Sequence, residues 1–269
     1  MRIVVCVKHV PDLQAERTLG PDGRLVRGED DVLNELDENA VEAAVSLAEQ
    51  AGGEVVAVTA GPDDAVDAVR RALQMGADAG VHVTDERIAG SDVLGTARVL
   101  AAAVRKLGEE APVDLVVTGM ASMDGLTAML PSALAAALEL PQLTLASGVR
   151  LEDRTLTITR TIGEADEVLA AELPAVLSVT DQANEPRYPN FRAIMAAKKR
   201  RVTIWDLDDL ALATTGAEAD GGPEVGTVGA GTQVLTAAPR PARTAGRIIT
   251  DSGDAGAQLA AYLVENKLV

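Results

Sequence analysis

The sequence predicts an α/β fold built on a mostly parallel, doubly wound sheet. In the first half, short runs rich in β-branched residues alternate with longer patterns of helical spacing, as in parallel strands joined by helical crossovers. Each strand run is almost continuous in apolar residues, which is typical of strands covered on both faces. The 269 residues include one Trp, one Phe and two Tyr. The core must therefore be filled by Ala, Val, Leu and Ile, which favours layers of sheet and helix.

The predicted elements of the first half follow in a regular order. Strands are expected at residues 2–8, 54–60, 79–84 and 113–119. Helices are expected between them, at residues 38–50, 63–76 and 91–110. Asp63 and the pair Ser91 and Asp92 are the expected N-caps of the second and third helices, and Gly76 is an expected C-cap.

The second half has a different pattern. Residues 142–180 carry shorter strand patterns split by charged turns, and we expect antiparallel strands that extend the sheet. Residues 210–240 are rich in Gly, Ala and Thr and indicate a linker or extended arm, with a disordered tail as the alternative. A final helix is expected at about 254–266. We therefore divide the chain into an α/β domain, 1–205, and a linker with a C-terminal arm, 206–269.

Charge and composition argue against several classes of partner. Lys and Arg number 24 against 41 Asp and Glu, a formal net charge of −17. Phosphate backbones repel so acidic a chain, so nucleic acid and anionic membranes are poor partners. We recognise no signal peptide and no run of the ~20 apolar residues that cross a bilayer, and expect a cytoplasmic protein without membrane insertion. One cysteine, Cys6, and two histidines, His9 and His82, predict neither an internal disulfide nor a zinc-type cluster.

Ligands of open parallel sheets bind at the loops that follow the strands. The four candidate loops follow Lys8, span residues 33–40, follow Ala60 and span residues 119–130. The last combines small and polar residues and leads into an Ala-rich helix expected at about 127–138, where backbone N–H groups form an anion site. The sequence has neither GxGxxG nor GxxxxGK[ST], and the alternative is that Asp124-Gly125 forms only a tight turn.

No arrangement of side chains predicts catalysis. Cys6 lies within a strand, where a small buried thiol usually packs, and a lone histidine such as His9 is more often a hydrogen-bonded bystander. Asp12, Asp37 and Glu38 lie in or near strand-end loops, but no His or Ser joins them into an acid-base unit. We therefore expect no catalytic residues, no metal ligands and no enzyme activity.

The segment 184–201 differs from the rest of the chain. It places two of the four aromatic residues, Tyr188 and Phe191, beside the basic run Lys198 to Arg201. One interpretation is a helix whose cations favour its C-terminal end. The other is an exposed apolar anchor, Phe191, presented to a partner, because aromatic residues and Arg dominate interface hot spots.

Motifs along almost the whole chain resemble the electron transfer flavoprotein beta-subunit family, also called FixA. The matching stretches are VCVKHVPD (5–12), LNELDENAVEAAV (33–45), AVTAGP (57–62), ALQMGAD (72–78), VDLVVTG (113–119), ELPAVLSV (172–179), NEPRYPNFRAIMAAKK (184–199) and PARTAG (241–246). They follow the order and spacing of the family, and the run 184–199 is the most specific. The resemblance implies a doubly wound sheet of the adenine-nucleotide-hydrolase-like type.

The resemblance also implies a heterodimer with a larger alpha subunit that holds most of the FAD, while the beta subunit binds a structural AMP. The C-terminal arm would embrace the alpha subunit. Carried over by position, the AMP site comprises Cys6, Asn34, Glu35, Leu36, Asp37, Ala60, Gly119, Met120, Ala121, Ser122, Met123, Asp124, Gly125, Leu126, Thr127, Ala128, Met129 and Leu130.

In this family a recognition loop docks acyl-CoA and related flavin dehydrogenases, and electrons pass on to a quinone oxidoreductase or another acceptor. The corresponding residues are Asn184, Glu185, Pro186, Arg187, Tyr188, Pro189, Phe191, Ile194, Met195, Lys198 and Lys199. Phe191 occupies the place where many members carry Leu. A larger, flat anchor is expected to fill a partner pocket, though not necessarily the same one.

Two departures from the family pattern affect the expected contacts. Many members carry an Asp-x-Asp-Thr-Gly-Gln type of loop; here Asp124 and Thr127 remain, while the Gly and Gln are replaced within 128–129. Backbone contacts to AMP are therefore expected to persist better than side-chain contacts. After Arg160, the family often has a Glu that pairs with the mobile flavin domain, and this chain has Thr161.

Three other functions stay open from the sequence. An electron-bifurcating member would hold a second FAD in the AMP site, which the altered loop permits. A stand-alone adenine-nucleotide-binding regulatory module would need neither the arm nor the segment 184–199. An enzyme acting on adenine nucleotides would need an acid-base set that the sequence does not supply. A lone thiol forms no internal disulfide, so the electrons must travel on a cofactor.

Overall fold

A central sheet of seven parallel strands forms the core of the computed structural model, which describes residues 1–28, 30–212, 225–242, 246, 248 and 250–269. The strands are β1 (Arg2–Cys6), β4 (Glu54–Ala60), β5 (Ala79–Val83), β6 (Leu115–Gly119), β7 (Gln142–Ala146), β11 (Ala175–Val179) and β12 (Val202–Trp205). Their order is β12-β5-β4-β1-β6-β11-β7, and every neighbouring pair is parallel.

Helices cover both faces of this sheet. They are α1 (Glu35–Ala51), α2 (Val66–Met75), α3 (Val93–Glu110) and α4 (Leu130–Leu138). The buried side chains of α1 and α2 pack against one face, around Ile3 and Val5, and those of α3 and α4 pack against the other, around Val4 and Val116. Both cores consist mainly of Ala, Val, Leu and Ile. The α/β fold with a doubly wound parallel sheet is therefore confirmed.

Several helix boundaries follow from local chemistry. The Asp92 carboxylate accepts hydrogen bonds from the N–H groups of Leu94 and Gly95 and caps α3, while Gly76 ends α2 with φ of 126°. Asp63 begins a short 3₁₀ turn, Asp63–Ala65, and α2 starts only at Val66. The helix expected from about 127 begins instead at Leu130.

The region 142–180 is split between two sheets. Its first and last strands, β7 and β11, are parallel members of the central sheet, which corrects the expectation of antiparallel strands there. The strands β8 (Gly148–Glu152), β9 (Thr155–Ile162) and β10 (Ala165–Glu172) form a separate antiparallel sheet rather than an extension of the central one. The physical reason is burial: β11 is buried throughout, whereas β10 alternates half-buried with exposed residues.

An additional hairpin was not predicted. The first strand ends at Cys6 rather than at Lys8, and two short strands, β2 (His9–Pro11) and β3 (Asp31–Leu33), pair antiparallel just beyond it. The intervening residues 12–28, called here the covering segment, contact the loop after β6 through Arg17. The residues that this segment contacts are distant from it in sequence, so local sequence patterns do not predict those contacts.

The C-terminal part contains α5 (Phe191–Ala197), the short α6 (Gly226–Gly229) and α7 (Ala255–Glu265). The expected final helix is confirmed. The segment around α6 packs on the residues just before α3, where the Gly226 N–H donates to Ser91 Oγ at 2.7 Å. By contrast, α7 has no buried residue. Part of the expected linker, 213–224, and part of the PARTAG motif lie outside the described residues, and the domain boundary at 205 stays a prediction.

None of the helices within the described ranges combines the length and apolar character needed to cross a membrane.

Candidate functional site

The crevice between β1 and β6 is the topological switch point of the sheet. From β1 the chain moves through α1 to β4 and β5 on one side, and α3 then carries it back to β6 on the other side. Ligands of doubly wound sheets bind at such a point, beyond the carboxyl ends of the strands. The loops that flank this crevice follow Cys6 and Gly119; ligand loops were predicted after Lys8 and at 119–130.

Asn34 connects these loops. Its side chain is buried, its Nδ2 donates to the Ala121 carbonyl at 3.0 Å, and its Oδ1 accepts from the Met123 N–H at 2.9 Å. Its own N–H donates to the Lys8 carbonyl at 2.9 Å. A single buried amide therefore holds together the end of β1, the start of α1 and the loop 119–130, called here the nucleotide loop.

Gly119 permits this close approach. A Cβ placed on Gly119 would lie 2.5 Å from Asp37 Oδ1 and 2.7 Å from the Leu36 carbonyl oxygen. Such separations are shorter than real Cβ contacts, so any larger residue would force α1 away from β6. The structure thus brings the predicted residues 34–37 against the first part of the nucleotide loop.

Asp37 is a buried carboxyl beneath this junction. Its Oδ2 accepts the N–H of Lys8 at 2.8 Å, and burial raises its pKa to about 7 although the hydrogen bonds it accepts favour the charged form. Burial also raises the pKa of the Cys6 thiol to about 12, with the nearby Asp37 adding to the effect. Cys6 is therefore an inert packing residue below the site, as its position in a strand indicated.

Cations gather at the nucleotide loop of this acidic protein. Lys8 Nζ lies 3.0 and 2.9 Å from the two Asp124 oxygens, and the Arg27 guanidinium also binds that carboxylate. Burial opposes ionisation of Asp124, but the charges of Lys8 and Arg27 outweigh it and hold its pKa well below the usual value. From the covering segment, Arg17 Nη1 donates to the Met123 carbonyl at 3.4 Å. The sequence did not predict the contacts of Arg17 and Arg27 with this loop. The one feature that could have suggested them is the presence of Arg residues in a chain of net negative charge.

The distal half of the nucleotide loop is open to solvent. The N–H groups of Gly125 and Leu126 both donate to the Ser122 carbonyl, so a tight turn is present at Asp124-Gly125. Beyond the turn, residues 125–129 are exposed, and Leu126 and Ala128 have a φ of 51°. That region is costly for residues with a Cβ, by about 1–3 kcal/mol each. The loop then enters α4, whose N-terminus has no side-chain cap.

Ala60, of the predicted site, lies on a neighbouring strand, and Thr161 and Arg160, where the chain departs from the family pattern, lie on the antiparallel sheet. Ala60 ends β4 and is partly buried against the α3 and α4 side of the sheet. Thr161 lines a shallow cavity with Met120 and Thr180, and its hydroxyl donates to Asp166 at 2.8 Å. Arg160 pairs with Glu167 at 2.7 Å within the antiparallel sheet.

A second candidate site is the segment 184–199, called here the docking segment. Phe191 is 78% exposed, Tyr188 is 87% exposed and Met195 also faces solvent. The Asn190 side chain accepts the Ala193 N–H at 3.0 Å and caps the short helix α5 that begins at Phe191. Exposed aromatic residues at the start of a capped helix form a projecting apolar surface.

Charged and amide contacts hold the docking segment on α1. Arg187 bridges Glu42 at 2.7 Å and Glu49 at 2.8 Å. Asn39 Nδ2 donates to the Asn184 carbonyl at 2.9 Å, and Asn184 Nδ2 donates back to the Asn39 carbonyl at 3.0 Å.

The side chains within the docking segment differ in exposure. Pro189 is buried, Ile194 is half-buried, and Lys198 and Lys199 are exposed just after the helix end. The two lysines therefore fit a C-terminal helix position as well as a partner-facing one.

Comparison with known proteins places these features in one family. The model described as the electron transfer flavoprotein domain matches residues 22–210. The electron transfer flavoprotein subunit beta of Mycobacterium leprae is 44% identical over 275 aligned positions, which cover 99% of each chain. The caffeyl-CoA reductase-Etf complex subunit CarD of Acetobacterium woodii is 34% identical, covering 93% of this chain and 92% of that protein. Protein FixA of Azorhizobium caulinodans is 39% identical, covering 78% and 76%. The family resemblance predicted from the motifs is confirmed.

Proposed function

The chain belongs to the electron transfer flavoprotein beta-subunit family, and from this membership we propose that it is the beta subunit of a heterodimeric electron carrier. In this proposal the chain binds a structural AMP and docks dehydrogenases. FAD, held mainly by the alpha subunit, carries electrons from acyl-CoA-type dehydrogenases to a quinone oxidoreductase or another acceptor. The location that we propose for this work is the cytoplasm.

The observation that carries the nucleotide part of the proposal is the junction at the switch point. Asn34 fastens the nucleotide loop to the start of α1, and Gly119 leaves no room for a side chain between them. A preorganised loop with backbone N–H groups suits the phosphate of a mononucleotide. Lys8, Arg17 and Arg27 bring positive charge to this loop of a chain whose net charge is −17, and the Asp124 carboxylate offsets that charge only in part.

The redox chemistry belongs to the flavin, which accepts and releases electrons when it is bound. The chain itself has one cysteine, and burial raises the pKa of that thiol to about 12, far from the reactive range. The side chains of this subunit therefore bind, orient and dock, and the electrons pass through the cofactor.

The docking part of the proposal rests on the exposure of Phe191 and Tyr188 above a fixed base. A transient electron-transfer complex uses a small interface, in which a single apolar anchor contributes much of the affinity. Because Arg187 and Asn184 hold the segment on α1, the anchor is presented without the cost of ordering a free loop. The excess negative charge then influences the rate of encounter with a partner.

The decisive experiment is to co-express the chain with its alpha subunit, purify the complex and release its nucleotides for chromatography. One FAD and one AMP per heterodimer support the proposal. Two FAD support the electron-bifurcating alternative, with flavin in the site assigned to AMP. A chain that never associates with a flavin-containing partner, and that retains an adenine nucleotide alone, supports a regulatory module instead and contradicts the proposal.

A further inference from the structure

Three side chains that are remote in sequence converge beside the hairpin of β2 and β3. His9 lies on β2, Asp31 lies on β3, and Asp64 lies on the 3₁₀ turn that follows β4. His9 Nδ1 is 3.9 Å from Asp31 Oδ2 and 4.0 Å from Asp64 Oδ2. One ligand atom from each residue lies within 4.8 Å of the others. The hairpin register explains the convergence, because Pro11 pairs with Asp31 and His9 is the diagonal neighbour on the same face.

All three residues are half-buried, and two of their side chains are nearly enclosed by the fold. Only 4% of the Asp31 side chain and 8% of the His9 side chain are exposed. Across the described parts of the chain, neither the Asp31 carboxylate nor the His9 ring makes a hydrogen bond. A buried carboxylate normally has hydrogen bonds or a bound cation to replace its lost hydration. The His9 ring therefore lies beside two carboxylates without a hydrogen bond to either of them.

We propose that His9, Asp31 and Asp64 bind one divalent transition-metal ion of the zinc class. An imidazole nitrogen and two carboxylate oxygens are a donor set that suits such an ion. Metal–ligand bonds of about 2.1 Å in a tetrahedral site bring the donor atoms to roughly 3.4 Å from one another. The two separations from His9 Nδ1 need to contract by only about half an ångström, and the two carboxylate ligand atoms lie within 4.8 Å of each other. The sequence-based expectation that the chain has no zinc-type cluster considered cysteines and histidines alone, and it did not include carboxylates that meet only in the fold.

The access route and the neighbouring charges fit an exchangeable ion. The Asp64 side chain is 38% exposed, so the third ligand faces solvent and leaves room for water as a fourth ligand. The cation beside the cluster is Arg27, whose Nη1 donates to the His9 carbonyl at 3.2 Å, and its guanidinium also binds Asp124. The positive charge of Arg27 is therefore partly neutralised and does not substitute for a metal ion at Asp31.

A bound ion would tie the hairpin to the loop that follows β4. The same hairpin supports the covering segment, whose Arg27 and Arg17 contact the nucleotide loop. A bound metal ion would thus restrict the motion of Arg17 and Arg27 at the nucleotide loop. The metal site itself does not depend on AMP, and failure of one proposal leaves the other intact.

The test is Zn²⁺ binding to the full-length, tag-free chain, in complex with its alpha subunit where the two associate. After chelator treatment and dialysis, Zn²⁺ is titrated in competition with a chromogenic chelator. We expect one tight ion per chain, and at least about tenfold weaker binding in each of His9→Gln, Asp31→Asn and Asp64→Asn. Asp63→Asn is the matched control, because Asp63 is next to Asp64 in the turn but bonds to Thr84 instead. This control should bind Zn²⁺ as the unaltered chain does.

A second measurement covers variants that fold poorly. Zn²⁺ should raise the Tm of the unaltered chain and of Asp63→Asn, but not that of Asp64→Asn, whose altered side chain is partly exposed and is the least expected to disturb folding. The proposal is overturned if the unaltered chain binds no Zn²⁺ more tightly than the three ligand variants. It is also overturned if Asp63→Asn weakens binding as much as Asp64→Asn does, because the site would then be a general acidic surface.

Discussion

The nucleotide loop and the docking segment are held in place by different kinds of interaction. At the first part of the nucleotide loop, the contacts to α1 are buried: Asn34 is 0% exposed, and α1 approaches Gly119 too closely for any Cβ. At the docking segment, the ion pairs of Arg187 add to the amide contacts between Asn39 and Asn184 and extend to the surface. There the Arg187 side chain is 33% exposed and the Glu49 side chain is 62% exposed.

This difference sets what each region tolerates. Buried hydrogen bonds and close packing are insensitive to salt but intolerant of one extra atom. Surface ion pairs are screened by salt and tolerate substitution at a small cost. The nucleotide loop is therefore built for one fixed geometry, whereas the docking segment is fastened firmly enough to present Phe191 and remains adjustable by charge.

The largest expected effect is that of Gly119→Ala. The added Cβ would meet Asp37 Oδ1 at 2.5 Å and the Leu36 carbonyl oxygen at 2.7 Å, and that backbone oxygen cannot move without displacing α1. We expect the free energy of unfolding, measured by urea titration, to fall by about 3 kcal/mol. The matched control is Gly108→Ala on α3, where a Cβ meets nothing within 4 Å and helix propensity favours Ala. Equal losses in the two variants would contradict the close-approach role of Gly119.

The contribution of the buried residue Asp37 to the free energy of unfolding should depend on pH. Burial raises the pKa of Asp37 to about 7 from 3.8, so between these values the folded chain retains a proton that the unfolded chain has released. Stability should therefore fall as pH rises through this window. The unfolding free energy of the unaltered chain minus that of Asp37→Asn should decrease by up to about 1.4 kcal/mol per pH unit.

Urea titrations of both proteins at several pH values between about 4 and 8 measure this difference, because titrations of other groups cancel. A difference that stays flat, or that grows with pH, would show that Asp37 is already charged in the folded chain.

Removal of the surface ion pairs should have a smaller effect. Arg187→Gln loses the bridges to Glu42 and Glu49, and we expect a loss of about 1 kcal/mol at low salt that diminishes as salt is added. Burial raises the pKa of Glu42, but Arg187 outweighs it and lowers that pKa overall. The stabilisation should therefore also disappear as pH falls through the lowered pKa. A loss that is independent of salt would indicate that Arg187 acts by packing.

The parts of the fold that sequence predicted are those fixed by local pattern. The parallel strands, their crossover helices and the cap at Asp92 follow from apolar runs and turn residues, and the structure confirms them. Strand partners are not local properties. For that reason the antiparallel strands were assigned to the wrong sheet, and the hairpin of β2 and β3 was not predicted.

The candidate site shows the same limit. The loops 33–40 and 119–130 were predicted because ligand loops follow parallel strands, and the family resemblance added residues 34–37. The structure joins the two loops through Asn34. The contacts of Arg27 and the meeting of His9 with Asp31 depend on how a segment of about twenty residues folds back. No periodicity within that segment encodes its path, so only the three-dimensional structure reveals those neighbours.

Phe191→Ala should have the smallest effect on stability of these substitutions, but a large effect on function. Because its side chain is 78% exposed, Phe191→Ala should change the free energy of unfolding by less than about 0.5 kcal/mol. If Phe191 fills a pocket of the dehydrogenase, kcat/KM for electron acceptance should fall at least about tenfold, with bound FAD unchanged. Steady-state assays with the purified heterodimer and a cognate dehydrogenase measure this ratio.

The matched control is Ile204→Ala, an exposed apolar residue on the edge strand β12, outside the docking segment. That variant should leave electron acceptance unchanged. Unaltered rates in Phe191→Ala would remove the docking role from Phe191, and equal losses in both variants would point to general surface hydrophobicity. A loss in Phe191→Ala that Phe191→Leu restores would show that the partner requires an apolar anchor rather than an aromatic ring.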